Sequence, residues 1–261
     1  MFFVIFFLII FCYWQNNAIV VTNYVYASSK INESLNGYRI VQISDLHNKR
    51  FGKNQEKLIE KLKECKPNLI VITGDLVDSN RLDMEPAIEF VRGAVQLAPT
   101  YFITGNHEIW LSKNDLDCLL NMLEAKGVTV LRDEKELLRV GEQEIELIGL
   151  DDESNQGNAL HKLDTEKSNQ LKILLAHEPQ YFENYCRSDV DIIFTGHAHG
   201  GQIIIPIVGG LVAPDQGFFP KYTEGVFEKN NTKMIISRGL GNSIVPLRIF
   251  NFPEIVCVDL E

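Results

Sequence analysis

Leu69-Ile70-Val71-Ile72-Thr73-Gly74-Asp75 is a β-branched, apolar run that empties into a glycine and a carboxylate. A run of this kind predicts a short strand followed by a sharp turn. Upstream, Asn54 to Cys65 places Leu58, Ile59 and Leu62 at helical spacing with charges between them, and Pro67 stops it. That is an amphipathic helix. Before it, Tyr38 to Ser44 predicts another strand, ending at Asp45. Downstream, Glu85 to Leu97 predicts a helix with Pro86 tolerated in its first turn. Thr100 to Thr104 predicts a strand that runs into Gly105-Asn106-His107, and Asp115 to Lys126 a helix closed by Gly127. Strands thus alternate with helices, the pattern of an α/β fold with crossover connections.

Beyond Gly127 the character changes. Val128 to Val130, Leu137 to Val140 and Glu144 to Leu150 predict short strands. Leu171 to Ala176 leads into His177, and Asp191 to Thr195 into Gly196-His197. Gln202 to Ile205, Gly225 to Phe227, Lys233 to Ser237 and Glu254 to Leu260 follow with no strong helix among them. Ile19 to Tyr26 adds a strand at the front. With no repeat and no linker, residues 19–261 are expected to form one domain.

Hydrophobic residues make up 45% of the 261, enough for a large core. The net charge of −10 argues against a general nucleic-acid binder, which needs a basic face. It leaves anionic substrates open, because a bound divalent cation reverses the local sign. The five cysteines (12, 65, 118, 186 and 257) are odd in number and lack CxxC spacing, so free, mostly buried thiols are expected.

Residues 1–14 are apolar and uncharged from Phe2 to Phe11. A helix of that length rises about 20 Å, short of a ~30 Å hydrocarbon core. A short membrane anchor, a secretory signal and a buried core segment are the three readings. The absence of polar punctuation before Gln15 favours membrane association. Lys30 is the first basic residue, so no flanking charge signals orientation.

Five of the six histidines fall in short clusters: Asp45-Leu46-His47, Gly105-Asn106-His107-Glu108, His177 and Gly196-His197-Ala198-His199. Each follows a predicted strand, as does Gly74-Asp75-Leu76-Val77-Asp78. Carboxylate, amide oxygen and imidazole together suit borderline divalent metals, and the number of groups suffices for two ions. Asp45 and His47 are two apart, which in extended geometry puts both on one face. His197 and His199 share that spacing. A carboxylate offers two oxygens, so Asp75 can bridge two cations. Singly, each motif has an ordinary explanation: Gly-Asp as a plain turn, Asn-His as a helix cap, Gly-His-x-His as a glycine-rich loop. All of them in one chain, each at a strand end, do not. His161 lies outside the clusters and is read as a surface residue.

In these motifs, from about Arg39 to His199, the chain resembles the calcineurin-like metallophosphoesterases. Gly200-Gly201-Gln202 and Ser237-Arg238-Gly239-Leu240-Gly241 resemble their membrane-linked bacterial branch. The resemblance implies a four-layer α-β-β-α sandwich of two mixed sheets. It implies that Asp45, His47 and His199 hold one divalent ion, that Asn106, His177 and His197 hold a second, and that Asp75 bridges. Manganese, iron and zinc all suit this donor set. His107 would serve the leaving group, with Asp78 as its partner. The reaction implied is hydrolysis of a phosphodiester, a phosphomonoester or a lipid pyrophosphate by a metal-activated water. A non-catalytic scaffold of the same fold and a protein phosphatase are the rivals. The complete ligand set weighs against the first, the short chain against the second.

Arg50, Arg238 and Arg248 are candidate phosphate contacts, since guanidinium grips phosphate through two hydrogen bonds; for Arg50 and Arg248 a solvated surface arginine is an equal reading. Gln202 is a further candidate for substrate binding. Phe218, Phe219, Pro220 and Tyr222 form an exposed-looking aromatic patch after Gly217, for which ordinary loop packing is favoured over contact with an acyl chain or membrane.

Overall fold

The computed structural model describes residues 2–151, 169–242 and 246–261. Predicted His161 thus lies outside the described residues. Its first half alternates as the sequence does: α1 (Phe2–Asn17), β1 (Val20–Tyr26), β2 (Arg39–Ile43), α2 (Glu56–Glu64), β3 (Leu69–Thr73), α3 (Glu85–Ala94), β4 (Thr100–Ile103), α4 (Asn106–Ile109), α5 (Lys113–Glu124) and β5 (Thr129–Val130). The second half supplies β6 (Glu134–Val140), β7 (Gln143–Gly149), β8 (Leu171–Leu175), β9 (Ile192–Thr195), two small hairpins, β10 (Ile204–Ile205) with β11 (Gly209–Gly210) and β12 (Val212–Ala213) with β13 (Gly217–Phe218), then β14 (Gly225–Lys229), β15 (Thr232–Ile236) and β16 (Glu254–Leu260).

Two mixed six-stranded sheets result, ordered β1-β16-β2-β3-β4-β5 and β14-β15-β9-β8-β7-β6. In the first, β2, β3, β4 and β5 run parallel, and β16 inserts antiparallel to β2. In the second, β7, β8, β9 and β15 run parallel.

The period of two along each strand sorts side chains into layers. Leu69, Val71, Ile103 and Val258 of the first sheet face Ile145, Ile173, Leu175 and Phe194 of the second. Ile70, Ile72 and Phe102 point the other way, onto Leu58 and Leu62 of α2, Phe90 of α3 and Leu119 of α5. Burying each such side chain stabilises the fold by about 1.5–3 kcal/mol. The outer face of the second sheet is covered differently. Among the described residues its partners are a one-turn helix, Phe182–Tyr185, and loop residues such as Tyr222. Tyr222 is buried against Phe182 and Phe227 and therefore leaves the expected exposed patch, whereas Phe218 and Phe219 remain exposed.

All five cysteines are free thiols, and Cys65, Cys186 and Cys257 are buried. Among the described residues no helix is long and apolar enough to cross a membrane.

Because the parallel strands share a direction, β2, β3, β4, β8 and β9 all end at one edge where the two sheets meet. Gln42 ties the sheets together there, donating to Thr73 Oγ1 at 2.9 Å and to the Thr195 carbonyl at 2.8 Å.

Candidate metal centre

The turns after these strands are zipped to one another. Asp45 N–H donates to the Gly74 carbonyl (3.1 Å), His47 N–H to Asp75 (3.0 Å) and Gly241 N–H to Asp45 (2.6 Å). Asp45, His47, Asp75, His197 and His199 all take positive φ, between 45° and 64°. For residues other than glycine this backbone is strained, and such strain clusters at functional sites. The expected extended Asp-x-His geometry is therefore absent. A left-handed turn, not a strand, swings Asp45 and His47 together. Gly74, at φ 86°, has no room for a Cβ, which would lie 2.6 Å from His177 Nδ1.

The buried side chains gather into two sets. In one, His47 Nε2 faces His199 Nε2 at 3.2 Å, with Asp75 Oδ2 at 3.4 Å from His47 and Asp45 Oδ1 at 3.5 Å from His199. In the other, Asn106 Oδ1 lies 3.0 Å from His177 Nε2 and 2.8 Å from His197 Nδ1, and Asp75 Oδ2 lies 3.3 Å from His177 Nε2. His197 and His199, two apart in sequence, thus face different sets. Asp75 Oδ2 belongs to both.

This arrangement fits divalent cations. Ring nitrogens face each other within 3.2 Å in both sets, between carboxylates and an amide oxygen, and a cation between them relieves that crowding of lone pairs. His177 Nδ1 donates to the Thr73 carbonyl at 2.7 Å, which turns the Nε2 lone pair toward the inner set. His197 Nε2 meets Asp215 Oδ2 at 3.0 Å, which leaves Nδ1 for the inner set. Burial alone would raise the Asp45 carboxyl, but His199 and His47 hold it below the usual carboxylate range. Burial opposes protonation of His47, yet Asp45 and Asp75 outweigh it and raise its pKa. Burial pushes His199 well down.

His107 lies beside the first set, its ring 4.6 Å from His47 and 5.0 Å from the exposed Trp110. Its Nδ1 accepts the Ser79 backbone N–H at 3.1 Å, so in the neutral ring the proton sits on Nε2. Burial lowers its pKa. Asp78 lies within ion-pair range of this ring, Oδ1 at 3.6 Å from Nδ1, but is not hydrogen-bonded to it. Asp78 instead caps the turn that follows it, accepting from Asn80 N–H (2.9 Å) and from Arg81 (2.8 Å).

The three candidate arginines all have partners within the chain. Arg238 pairs with Glu254 (2.8 Å) and Glu224 (3.4 Å). Arg50 pairs with Asp83 and Glu89 at the surface. Arg248 is fully buried and donates to the Gly241 and Arg238 carbonyls and to Asn242. Gln202 is buried at φ 59°, its Oε1 without a hydrogen-bond partner among the described residues.

Two residues escaped the sequence reading. Glu108 is buried, and its carboxylate accepts from the Asp75 (2.7 Å), Gly105 (2.8 Å) and Val77 (3.2 Å) N–H groups, tying the turns after β3 and β4 together. Burial and the neighbouring Asp75 raise its pKa. The signal was the carboxylate three residues after Gly105, a capping spacing. Asp215 lay in a loop with nothing local to mark it.

Comparison with known proteins gives the family. The family model described as calcineurin-like phosphoesterase matches residues 38–201. The chain belongs to that family. It is 30% identical over 256 residues to the uncharacterized metallophosphoesterase YkuE of Bacillus subtilis, covering 95% of this chain and 88% of that one. It is 28% identical to the phosphodiesterase YaeI of Escherichia coli, over 85% of this chain and 82% of that one. Among solved structures, a dimetal phosphatase from Danio rerio matches 78% of this chain and 88% of its own with a TM-score of 0.46 and 12% identity. The family's members generally hydrolyse phosphoric esters with divalent metals, and this chain carries clusters of groups that could hold a metal ion.

Proposed function

We propose that the chain hydrolyses phosphate esters at a pair of divalent cations. Asp45, His47 and His199 hold one ion, Asn106, His177 and His197 hold the other, and Asp75 bridges. The observation that carries this reading is Asp75 Oδ2, set 3.4 Å from His47 Nε2 and 3.3 Å from His177 Nε2. Bound ions at such a site supply positive charge to phosphoryl oxygens and acidify water for attack on phosphorus.

The chain's own residues do the rest. His107, fixed through Nδ1 by Ser79, presents Nε2–H where the leaving oxygen develops charge. Trp110 beside it forms the rim on the leaving-group side. Glu108 holds the bridging carboxylate's turn in register with that of Asn106 and His107. With Arg50, Arg238 and Arg248 engaged elsewhere, phosphate recognition falls to the cations, to His107 and to Gln202.

The substrate is a phosphodiester, phosphomonoester or lipid pyrophosphate. Residues 1–14 associate with a membrane, a reading supported by the uncharged sequence and the exposure of Phe3 to Ile10. The test is release of nitrophenolate from bis(4-nitrophenyl) phosphate and from 4-nitrophenyl phosphate by protein loaded with Mn²⁺, Fe²⁺ or Zn²⁺. Chelation should abolish it. Turnover that survives chelation defeats the reading.

A further inference from the structure

Among the uncharged stretches of this chain are residues 1–29, 203–214 and 249–253. The fold brings them together. Phe11 and Trp14 of α1 pack edge-on against Phe250 (5.8 Å) and Phe252 (4.9 Å). Ile203 bridges Ile249, and Ile204 N–H donates to the Ile249 carbonyl at 3.0 Å. In a chain that is 23% charged, such a convergence makes an uncharged surface.

That surface adjoins the metal centre. Asn251, between Phe250 and Phe252, donates to the His199 carbonyl at 2.7 Å and to that of Gln202 at 3.0 Å. The β12–β13 turn supplies Asp215 to His197 Nε2 and carries Phe218 and Phe219 outward.

The exposed groups are the wrong ones for water. From Phe3 to Ile10, α1 exposes every side chain, by 49% at the least. A helix apolar all round belongs in a core or in lipid. At the tip of the β10–β11 hairpin, Ile207 is fully exposed at φ 74° and Val208 is exposed beside it. A β-branched residue is strained in that backbone, where glycine or asparagine fits a turn better.

We propose that this uncharged rim, formed by α1, the Ile207–Val208 and Phe218–Phe219 tips and Phe250, seats in a phospholipid bilayer. The substrate is then an amphiphile whose phosphate ester lies at headgroup depth beside the metal centre. The net charge of −10 fits this mode, because seating by apolar contact needs no attraction to anionic lipid. The substrate class rests on the phosphoesterase reading. The docking does not.

The experiment uses the full, metal-loaded chain and its Ile207→Asn/Val208→Asn variant, floated on a density gradient with phosphatidylcholine vesicles. Turnover is read on methyl 4-nitrophenyl phosphate in solution and on oleyl 4-nitrophenyl phosphate embedded in the vesicles. The variant should partition at least about tenfold less, from the two apolar side chains withdrawn. Its turnover of the oleyl ester should fall by a similar factor and that of the methyl ester should not change. Wild-type flotation should persist in 1 M salt. Equal flotation of variant and wild type, or loss of flotation in salt, overturns the proposal. So does a wild type that stays off vesicles as a dimer which the variant breaks, since the rim would then join two copies. If flotation follows the variant but neither ester is cleaved, the docking stands and the phosphoesterase reading falls.

Discussion

The backbone N–H of His107 donates to Oδ1 of Asp75 at 2.9 Å. One carboxylate oxygen is therefore spent on the turn that carries the proposed leaving-group histidine, and only Oδ2 faces both ligand sets. The position of His107 and the bridging geometry are one structural fact. A change at Asp75 moves both.

Asp75→Asn keeps an oxygen acceptor for the His107 N–H but loses the charge shared by the two sets. Metal analysis of the purified variant should find at most one tightly held ion. Phosphodiester turnover should fall by about 10³-fold or more, because several kcal/mol of charge stabilisation go with it. A variant holding two ions at full activity would show that Asp75 is no bridge.

His107→Ala should leave the metal content intact. Turnover of an ester with an alkoxide leaving group should drop by about 10²–10⁴ and that of a nitrophenyl ester by much less, since nitrophenolate departs without a proton. Ser79 offers a companion test. Ser79→Pro removes the N–H that pins Nδ1, and the same leaving-group-dependent loss should appear in milder form. Equal losses on both esters would count against the assignment.

Asp215 lies outside both ligand sets but touches His197 Nε2. Asp215→Asn should weaken metal binding by about 10–100-fold, the usual cost of losing a carboxylate behind a ligating imidazole. Titration with a competing chelator reads this directly. Asp215→Glu should restore part of it.

Asp259 forms a two-pronged pair with Arg39, at 2.6 and 2.7 Å, joining β16 to β2. The hydrogen bond to Arg39 holds the Asp259 carboxyl below its ordinary value. A depressed carboxylate stabilises the fold above its unfolded pKa of about 3.9 and loses that stabilisation as pH falls through the lower folded value. The pair is partly exposed, so Asp259→Asn should cost only about 0.5–1 kcal/mol at pH 7. Urea unfolding of both proteins should show that gap steady from pH 7 to 5 and closing below pH 4. A gap that widens in acid would reverse the sign.

Asn16 is the hinge of the N-terminal segment. Its carbonyl accepts from Lys49, and its Oδ1 accepts from Asn242 (3.0 Å) and from Arg248 N–H (3.2 Å). Deleting residues 2–10 should leave thermal stability and turnover of a soluble ester unchanged. Deleting residues 2–17 should lower the melting temperature measurably, because Gln15, Asn16 and the Trp14 ring leave with it.

The alternation around Leu69–Thr73 and the strand-end position of every ligand group were legible because both are local patterns. Helix ends were less so: α5 begins at Lys113, before the expected Asp115, because Ser112 accepts from the Asp115 N–H at 3.2 Å and caps it there. The turn that joins Asp45 to His47 was misread as extended, since nothing in three residues announces left-handed backbone. The partners of the arginines were not legible because they are remote. Glu254 lies sixteen residues from Arg238 and meets it only once β16 is in place. Asp215 was invisible for the same reason.

The placement of β16 also sets an order of assembly. Val20 pairs with Glu254 and Val258 with Ile40, so β16 is wedged between the two earliest strands. During synthesis α1 and β1 emerge long before residues 248–260, on which they seat. Contacts of such long sequence separation form late and slowly. For most of its translation the chain therefore exposes an unsheltered greasy segment beside an unpaired strand edge, the circumstance in which nascent proteins aggregate or need an escort. A mutation that slows the closing of β16, such as a proline at Val256, should thus appear first as poor yield in the cell and only second as lost catalysis.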